Sequence, residues 1–135
     1  NPHAIRPWQH VMEPLRGYLT LAERLFESGT VFAQGWNFGP NEDGAKPVGW
    51  IVDKMAALWG GGAQWQLDSC DHPHEAHYLK LDISKARSQL DWRPALSLED
   101  ALRLIVYWAR QRQAGADVRD LTLAQIHDYQ RLTES

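Results

Sequence analysis

Stretches with apolar residues every third or fourth position alternate along the chain with short runs of strand formers. Arg6 to Val11 (R-P-W-Q-H-V) is broken by Pro7 and reads as an extended or turn-like opening. A helix is predicted from about Pro14, with Leu15, Tyr18, Leu19, Ala22, Leu25 and Phe26 on one face and Ser28-Gly29 as its stop. Val31 to Phe38 (V-F-A-Q-G-W-N-F) reads as a strand, with Gly35 as a bulge or close-approach point. A loop follows over Gly39 to Gly44. Pro47 opens a second helix with Val48, Ile51, Val52, Met55 and Leu58 as its buried stripe, and Gly60-Gly61-Gly62 stops it. Gln64 to Leu67 and His77 to Leu81 are predicted as short strands on either side of a loop at Asp68 to Pro73.

Asp82 is placed to cap a short helix through Leu90, and Asp91-Trp92-Arg93-Pro94 breaks the chain after it. Ser97-Leu98-Glu99-Asp100 begins a helix in the manner of a capping box, with Leu102, Ile105, Val106 and Ala109 apolar. Thr122 to Gln125 repeats that device for a last helix carrying Ile126, Tyr129 and Leu132. The fold class is therefore mixed α/β and helix-rich. Short strands so scattered cannot form a large sheet covered on both faces. Residues 6–38 read like the tail of an α/β sheet whose other strands lie outside this sequence. The helix from Pro14 and the strand to Phe38 are then expected to expose apolar surface and to favour self-association.

Composition narrows the classes of partner. Apolar residues make up 44% of 135 and charged residues 23%, which excludes disordered and collagen-like chains. The net charge of −3, without a basic run, argues against nucleic acid or an anionic membrane as the main partner. No apolar stretch approaches the length of a membrane span. The single cysteine, Cys70, forms no internal disulfide and favours a reducing compartment, so a cytoplasmic location is expected. Seven tryptophans are many for this length; Trp59 and Trp108, at helical spacing, suit a core, and an excess of rings also suits an interaction surface.

The densest polar cluster is Cys70-Asp71-His72-Pro73-His74-Glu75-Ala76-His77. A zinc loop on Cys70, His72, His74 and His77 is one reading, in a stand-alone binding module. A polar loop is favoured over it, because structural zinc sites gather ligands from two separated knuckles and no second Cys/His pair exists. Alternation puts Glu75 and His77 on one side of a strand's start, where they suit hydroxyls or a base edge. Arg6, beside Pro7 on an extended segment, suits a phosphate, although an ordinary surface arginine is the simpler reading. Asn37, inside an apolar run, needs partners for a buried amide or reaches a ligand at the strand's end. No G-x-G-x-x-G follows a strand, no G-x-S-x-G occurs, and no tyrosine is followed four residues later by lysine. The residues alone compose no complete catalytic constellation.

Asn1 to Val11 (N-P-H-A-I-R-P-W-Q-H-V), Trp36 to Pro40 (W-N-F-G-P) and His72 to Asp82 (H-P-H-E-A-H-Y-L-K-L-D) resemble the CDP-glucose 4,6-dehydratase family. That family is a branch of the extended short-chain dehydrogenase/reductases. The resemblance runs from residue 1 to about 130 and includes Ser84-Lys85-Ala86 and Leu90-Asp91-Trp92-Arg93-Pro94. It implies a lyase that uses NAD to oxidise the sugar at C4, eliminate water across C5–C6 and return the hydride to C6. The product, CDP-4-keto-6-deoxyglucose, leads to the 3,6-dideoxyhexoses of bacterial surface polysaccharides. It also implies that the NAD-binding Rossmann half, with its glycine fingerprint and Tyr-x-x-x-Lys pair, is not in this sequence.

On that resemblance, residues 1–40 are the terminal segment of the Rossmann sheet and 41–135 the sugar-nucleotide lobe. The resemblance implies that this is the C-terminal portion, with no catalytic residue, and it is expected to bind no NAD and to be inactive alone. Arg6 matches an arginine used on the pyrophosphate of CDP-glucose, and Asn37 an asparagine of the same pocket. Glu75, His77 and Tyr78 fall where the lobe closes over the nucleotide. Asp91 departs from the family, whose members usually carry Gly after the leucine; a left-handed cap there would cost an aspartate some stability.

Overall fold

The computed structural model describes residues 1–68 and 77–134. Its described part is a helix-rich α/β arrangement with a small open sheet of two strands. β1 (Ile5–Pro7) pairs antiparallel with β2 (Ala45–Pro47), so that Ile5 faces Pro47, Arg6 faces Lys46 and Pro7 faces Ala45. The other edge of β1 meets the predicted strand at residues 77–81, which is reduced to one parallel bridge between Ile5 and Tyr78. Two backbone bonds make it, from the Ile5 amide to the His77 carbonyl at 2.9 Å and from the Leu79 amide to the Ile5 carbonyl at 3.2 Å.

α1 (Met12–Ser28) starts two residues ahead of Pro14, which sits in the first turn where its missing N–H breaks no helical bond. The His10 ring accepts the Met12 amide through Nδ1 at 3.3 Å and satisfies one of the free donors there. The packed face of α1 is Met12, Glu13 and Gly17, not the apolar face read from periodicity. Gly17 is required by close approach: a Cβ there would lie 2.4 Å from the Phe38 ring. Opposite, Leu15, Tyr18, Leu19, Leu25 and Phe26 are all exposed, Phe26 to 93%.

The predicted strand from Val31 to Phe38 is not one. Gly29–Phe32 is a 3-10 turn, and the chain then runs without regular structure. A strand needs a neighbour's ladder, and here the backbone groups are taken locally. The Gln34 amide donates to the Phe32 carbonyl at 2.8 Å, and Lys85 Nζ donates to the Gly35 carbonyl and to Gln34 Oε1. Gly35 is neither bulge nor close approach, since an added Cβ would meet nothing within 4 Å. Residues 63–68 likewise form no strand; they are exposed, with the Trp65 indole donating to Asp53 Oδ1 at 2.8 Å.

α2 (Val48–Trp59) follows Pro47 directly and ends at Gly60, whose φ of 73° only glycine takes freely. Ile51 packs with Leu98 and Leu102 of α4 (Leu98–Gln113), and Trp8, Trp50, Met55 and Leu58 border that cluster. Ser97 caps α4 as predicted, its Oγ accepting the Asp100 amide at 3.1 Å. α3 (Ser84–Leu90) has its first amide held by the Asp82 carboxylate at 2.8 Å. It closes on Asp91 in the left-handed conformation, φ 49°, the conformation anticipated for that position.

A second cluster joins α3 to the segment before β2: Phe38, Ile83, Ala86, Leu90 and Trp92. The Phe38 ring meets Trp92 edge-on at 5.0 Å and Tyr18 at 5.7 Å. The fully buried tryptophan is thus Trp92, in the chain break after α3. Trp59, expected in a core, is 37% exposed, and Trp108 is half-buried with its indole donating to Thr122. α5 (Val118–Thr133) is capped by Asp117, not Thr122, because Asp117 Oδ1 accepts the amides of Arg119 and Asp120. Of its predicted apolar residues Tyr129 is buried, whereas Leu132 is 58% exposed.

α5 is fastened to α1 by a polar clip. The Glu13 carboxylate, 1% exposed, accepts the Tyr129 hydroxyl at 2.7 Å and the amides of Ala95 and Leu96 at 2.9 and 2.7 Å. Arg16 adds a donor to the Tyr129 oxygen at 3.1 Å and another to the Arg93 carbonyl. Burial first, and then the bond to Glu13, hold the Tyr129 phenol well above its ordinary pKa, so it stays a donor.

Candidate functional site

The two-stranded ribbon and the segment beside it gather most of the predicted site. Arg6 lies on β1 between Lys46 on one side and the 77–79 segment on the other. Its guanidinium donates through Nη1 to the Ile5 carbonyl at 2.8 Å, the same oxygen that accepts the Leu79 amide. That shared acceptor keeps the arginine head beside the segment carrying His77 and Tyr78. The His77 ring meets Asn1 Nδ2 at 3.1 Å, so the chain's first residue also belongs to this corner.

Alternation along the strands divides the group into two sides. Arg6 and Lys46 are direct cross-strand partners and project from the same side of the ribbon. Tyr78 is bridged to Ile5 and projects from the other side, where Lys80 lies with its ammonium 5.5 Å from the Tyr78 ring. On that side a cleft of about 390 Å³ is bordered by Pro7, Ala45, Lys80, Asp82 and Arg87. Two hydrogen bonds from Ser84 hold the Asp82 carboxyl below its ordinary pKa. Arg87 is anchored by Asn41 Oδ1 at 2.5 Å.

Asn37 is not the buried amide that its apolar neighbours suggest. It is exposed, and its Nδ2 donates to the Asp82 carbonyl at 3.2 Å, which ties it to the far end of the same segment. Glu75 lies outside the described residues, as do Cys70, His72 and His74 of the zinc reading. Among the described residues no group of three His, Cys, Asp or Glu side chains is placed to hold a metal ion. Lys46, which the sequence reading does not name, is brought beside Arg6 by the ribbon. Its place depends on strand register, and A-K-P gives no local sign of a partner forty residues away.

A half-buried arginine and lysine side by side, on the side of the ribbon away from the cleft, make a surface suited to a phosphorylated ligand. The described glycine turn at Gly60–Gly62 follows a helix and opens onto none, so it is no dinucleotide cradle. No helix among the described residues is long and apolar enough to cross a membrane.

No family model matches the chain. It is 52% identical over 133 residues to CDP-glucose 4,6-dehydratase of Salmonella typhimurium (strain LT2), a match that covers 98% of this chain. The likeness read from the three sequence segments is thereby shown across nearly the whole sequence. The chain spans 37% of that relative's length.

Proposed function

We propose that this chain is the C-terminal, substrate-binding portion of an NAD-dependent CDP-glucose 4,6-dehydratase. The observation that carries the reading is the 52% identity over 133 residues, 98% of the chain. Residues 1–40 are read as the closing piece of the cofactor domain's sheet and 41–135 as the sugar-nucleotide lobe. Arg6 takes the pyrophosphate, with His77 on its side of the ribbon. Asn37 is read as part of the same pocket, and Glu75, His77 and Tyr78 as residues that meet the nucleotide where the lobe closes over it. A sugar nucleotide running past the end of β1 reaches both sides.

NAD, when bound by the whole enzyme, supplies the hydride acceptor that makes the C5 proton acidic enough for elimination. Among the described residues the glycine turn at Gly60–Gly62 follows a helix and opens onto none, which does not fit a dinucleotide, so cofactor and acid–base pair are assigned to the portion of the protein this chain does not span. The lobe alone is then inactive.

The test is calorimetric titration of the chain with CDP-glucose, with CDP and dTDP-glucose as controls. Weak binding of the two cytidine ligands, lowered further by Arg6→Ala, is expected. Turnover of CDP-glucose by this chain with added NAD would overturn the division of labour. Equal binding of dTDP-glucose would overturn the assigned nucleotide preference.

A further inference from the structure

The segment at residues 77–82 carries His77 and Tyr78, and the structure fastens it at both ends. The near end is tied to Ile5, whose amide donates to the His77 carbonyl and whose carbonyl accepts the Leu79 amide. Lys80 and Leu81 then cross the gap with no backbone hydrogen bond among the described residues. Leu81 passes close over Gly39, where an added Cβ would lie 2.9 Å from the leucine Cβ. The far end is Asp82, the last exposed residue before Ile83 enters the core with Phe38 and Trp92. Its carbonyl accepts Asn37 Nδ2 at 3.2 Å, and its Oδ1 accepts the Ser84 amide at 2.8 Å. Asp82 thus joins the chain leading into Phe38, the first turn of α3 and the segment itself. A carboxylate that accepts the amide two residues on fixes the backbone where it turns from extended to helical.

We propose that Asp82 is a positioning residue for the ligand site, the far anchor that sets where His77 and Tyr78 stand. This rests on the reading of His77 and Tyr78 as residues that meet the nucleotide. It adds a residue that acts on the ligand only through that segment. With both anchors in place the segment is pre-organised, and binding does not have to order it. With the Ile5 bridge alone the segment swings at the ribbon's edge, and each binding event pays for its ordering. The hydrogen bonds from Ser84 also hold the Asp82 carboxyl below its ordinary pKa, so it remains an ionised acceptor at neutral pH.

The experiment reads amide exchange by NMR and CDP-glucose affinity by calorimetry on the same variants. Asp82→Ala should speed exchange of the Leu79 amide about tenfold. The Val48 amide, bonded to the Ala4 carbonyl where α2 meets the ribbon, should keep its native rate. The same variant should weaken CDP-glucose about tenfold, with Tm lowered by no more than about 5 °C. Asp82→Asn keeps the acceptor and should hold both readouts within about twofold of native. Asn37→Ala removes only the bond to the Asp82 carbonyl and should speed Leu79 exchange by a smaller factor. A native exchange rate at Leu79 in Asp82→Ala would overturn the anchor, whether or not the chain binds CDP-glucose. Equal losses in Asp82→Asn and Asp82→Ala would overturn the carboxylate's part as an acceptor. Fast exchange at Leu79 with native CDP-glucose affinity would keep the anchor and overturn the reading of His77 and Tyr78.

Discussion

The two long faces of α1 are built the wrong way round for a helix at the edge of a domain. Its inner face is mixed: Met12 is buried, Glu13 is sealed under three hydrogen bonds, and Gly17 lies against Phe38. Its outer face carries Leu15, Tyr18, Leu19 and Phe26 into solvent. An amphipathic helix normally buries the apolar stripe. Here specific contacts, not hydrophobic periodicity, decide which side faces the chain's own core. The outer side has the composition of a helix that is covered twice. It continues into a groove of about 330 Å³ lined by Val11, Leu15, Ile105, Trp108 and Ile126.

The largest effect is expected on the inner face. Glu13→Leu keeps the size of the side chain and removes an acceptor from two backbone amides and a phenol. Each orphaned donor costs on the order of 1–3 kcal/mol, so a loss of about 3 kcal/mol or more is expected. In a chain of this length that lowers Tm by about 10 °C, measurable by calorimetry. A loss below about 1 kcal/mol would show that the clip between α1 and α5 contributes little.

A smaller effect belongs to the opening of α1. Burial holds the His10 ring below its ordinary pKa of 6.5, with nearby Glu13 opposing, and its neutral Nδ1 accepts the Met12 amide. The unfolded chain takes up this proton near 6.5, and the folded chain only at lower pH. The stabilisation is therefore complete above 6.5 and is lost as pH falls below it toward the lowered folded value. Tm should drop between about pH 7.5 and 5.5, with a shallower slope for His10→Gln. A wild-type profile flat over that window would remove His10 as the cause.

What the sequence made legible follows the same contrast. Helix ends were readable because their signals are local: Gly29, Gly60 and the Ser97–Asp100 cap all act where they were expected. The start of α5 was misread because Asp117 and Thr122 offer equivalent local chemistry, and only the Thr122 contacts to Trp108 and Val118 separate them. The strand at 31–38 was not legible, since a strand is a property of a pair and Lys85 holds this segment instead. The site behaves alike. Arg6 was singled out by the family resemblance and not by its own residues, and its closeness to Tyr78 follows from one bridge. Lys46 could not be singled out, because register is written in the partner strand.

The outer face should respond in the opposite sense to the inner one. Leu19→Lys and Phe26→Glu together remove two side chains that are 67% and 93% exposed, so little buried area is lost. Each is expected to change stability by no more than about 0.5 kcal/mol. Their effect falls on association. Sedimentation of the native chain should show concentration-dependent self-association, with a dye for apolar surface binding strongly, and the double variant should sediment as a monomer. A native chain that stays monomeric without binding the dye would mean that these side chains, though exposed, form no adhesive surface. Self-association that survives the double variant would move the interface elsewhere, to the groove bordered by Ile105, Trp108 and Ile126. In either case the inner-face substitution lowers Tm and the outer-face pair does not, so stability and association separate along one helix.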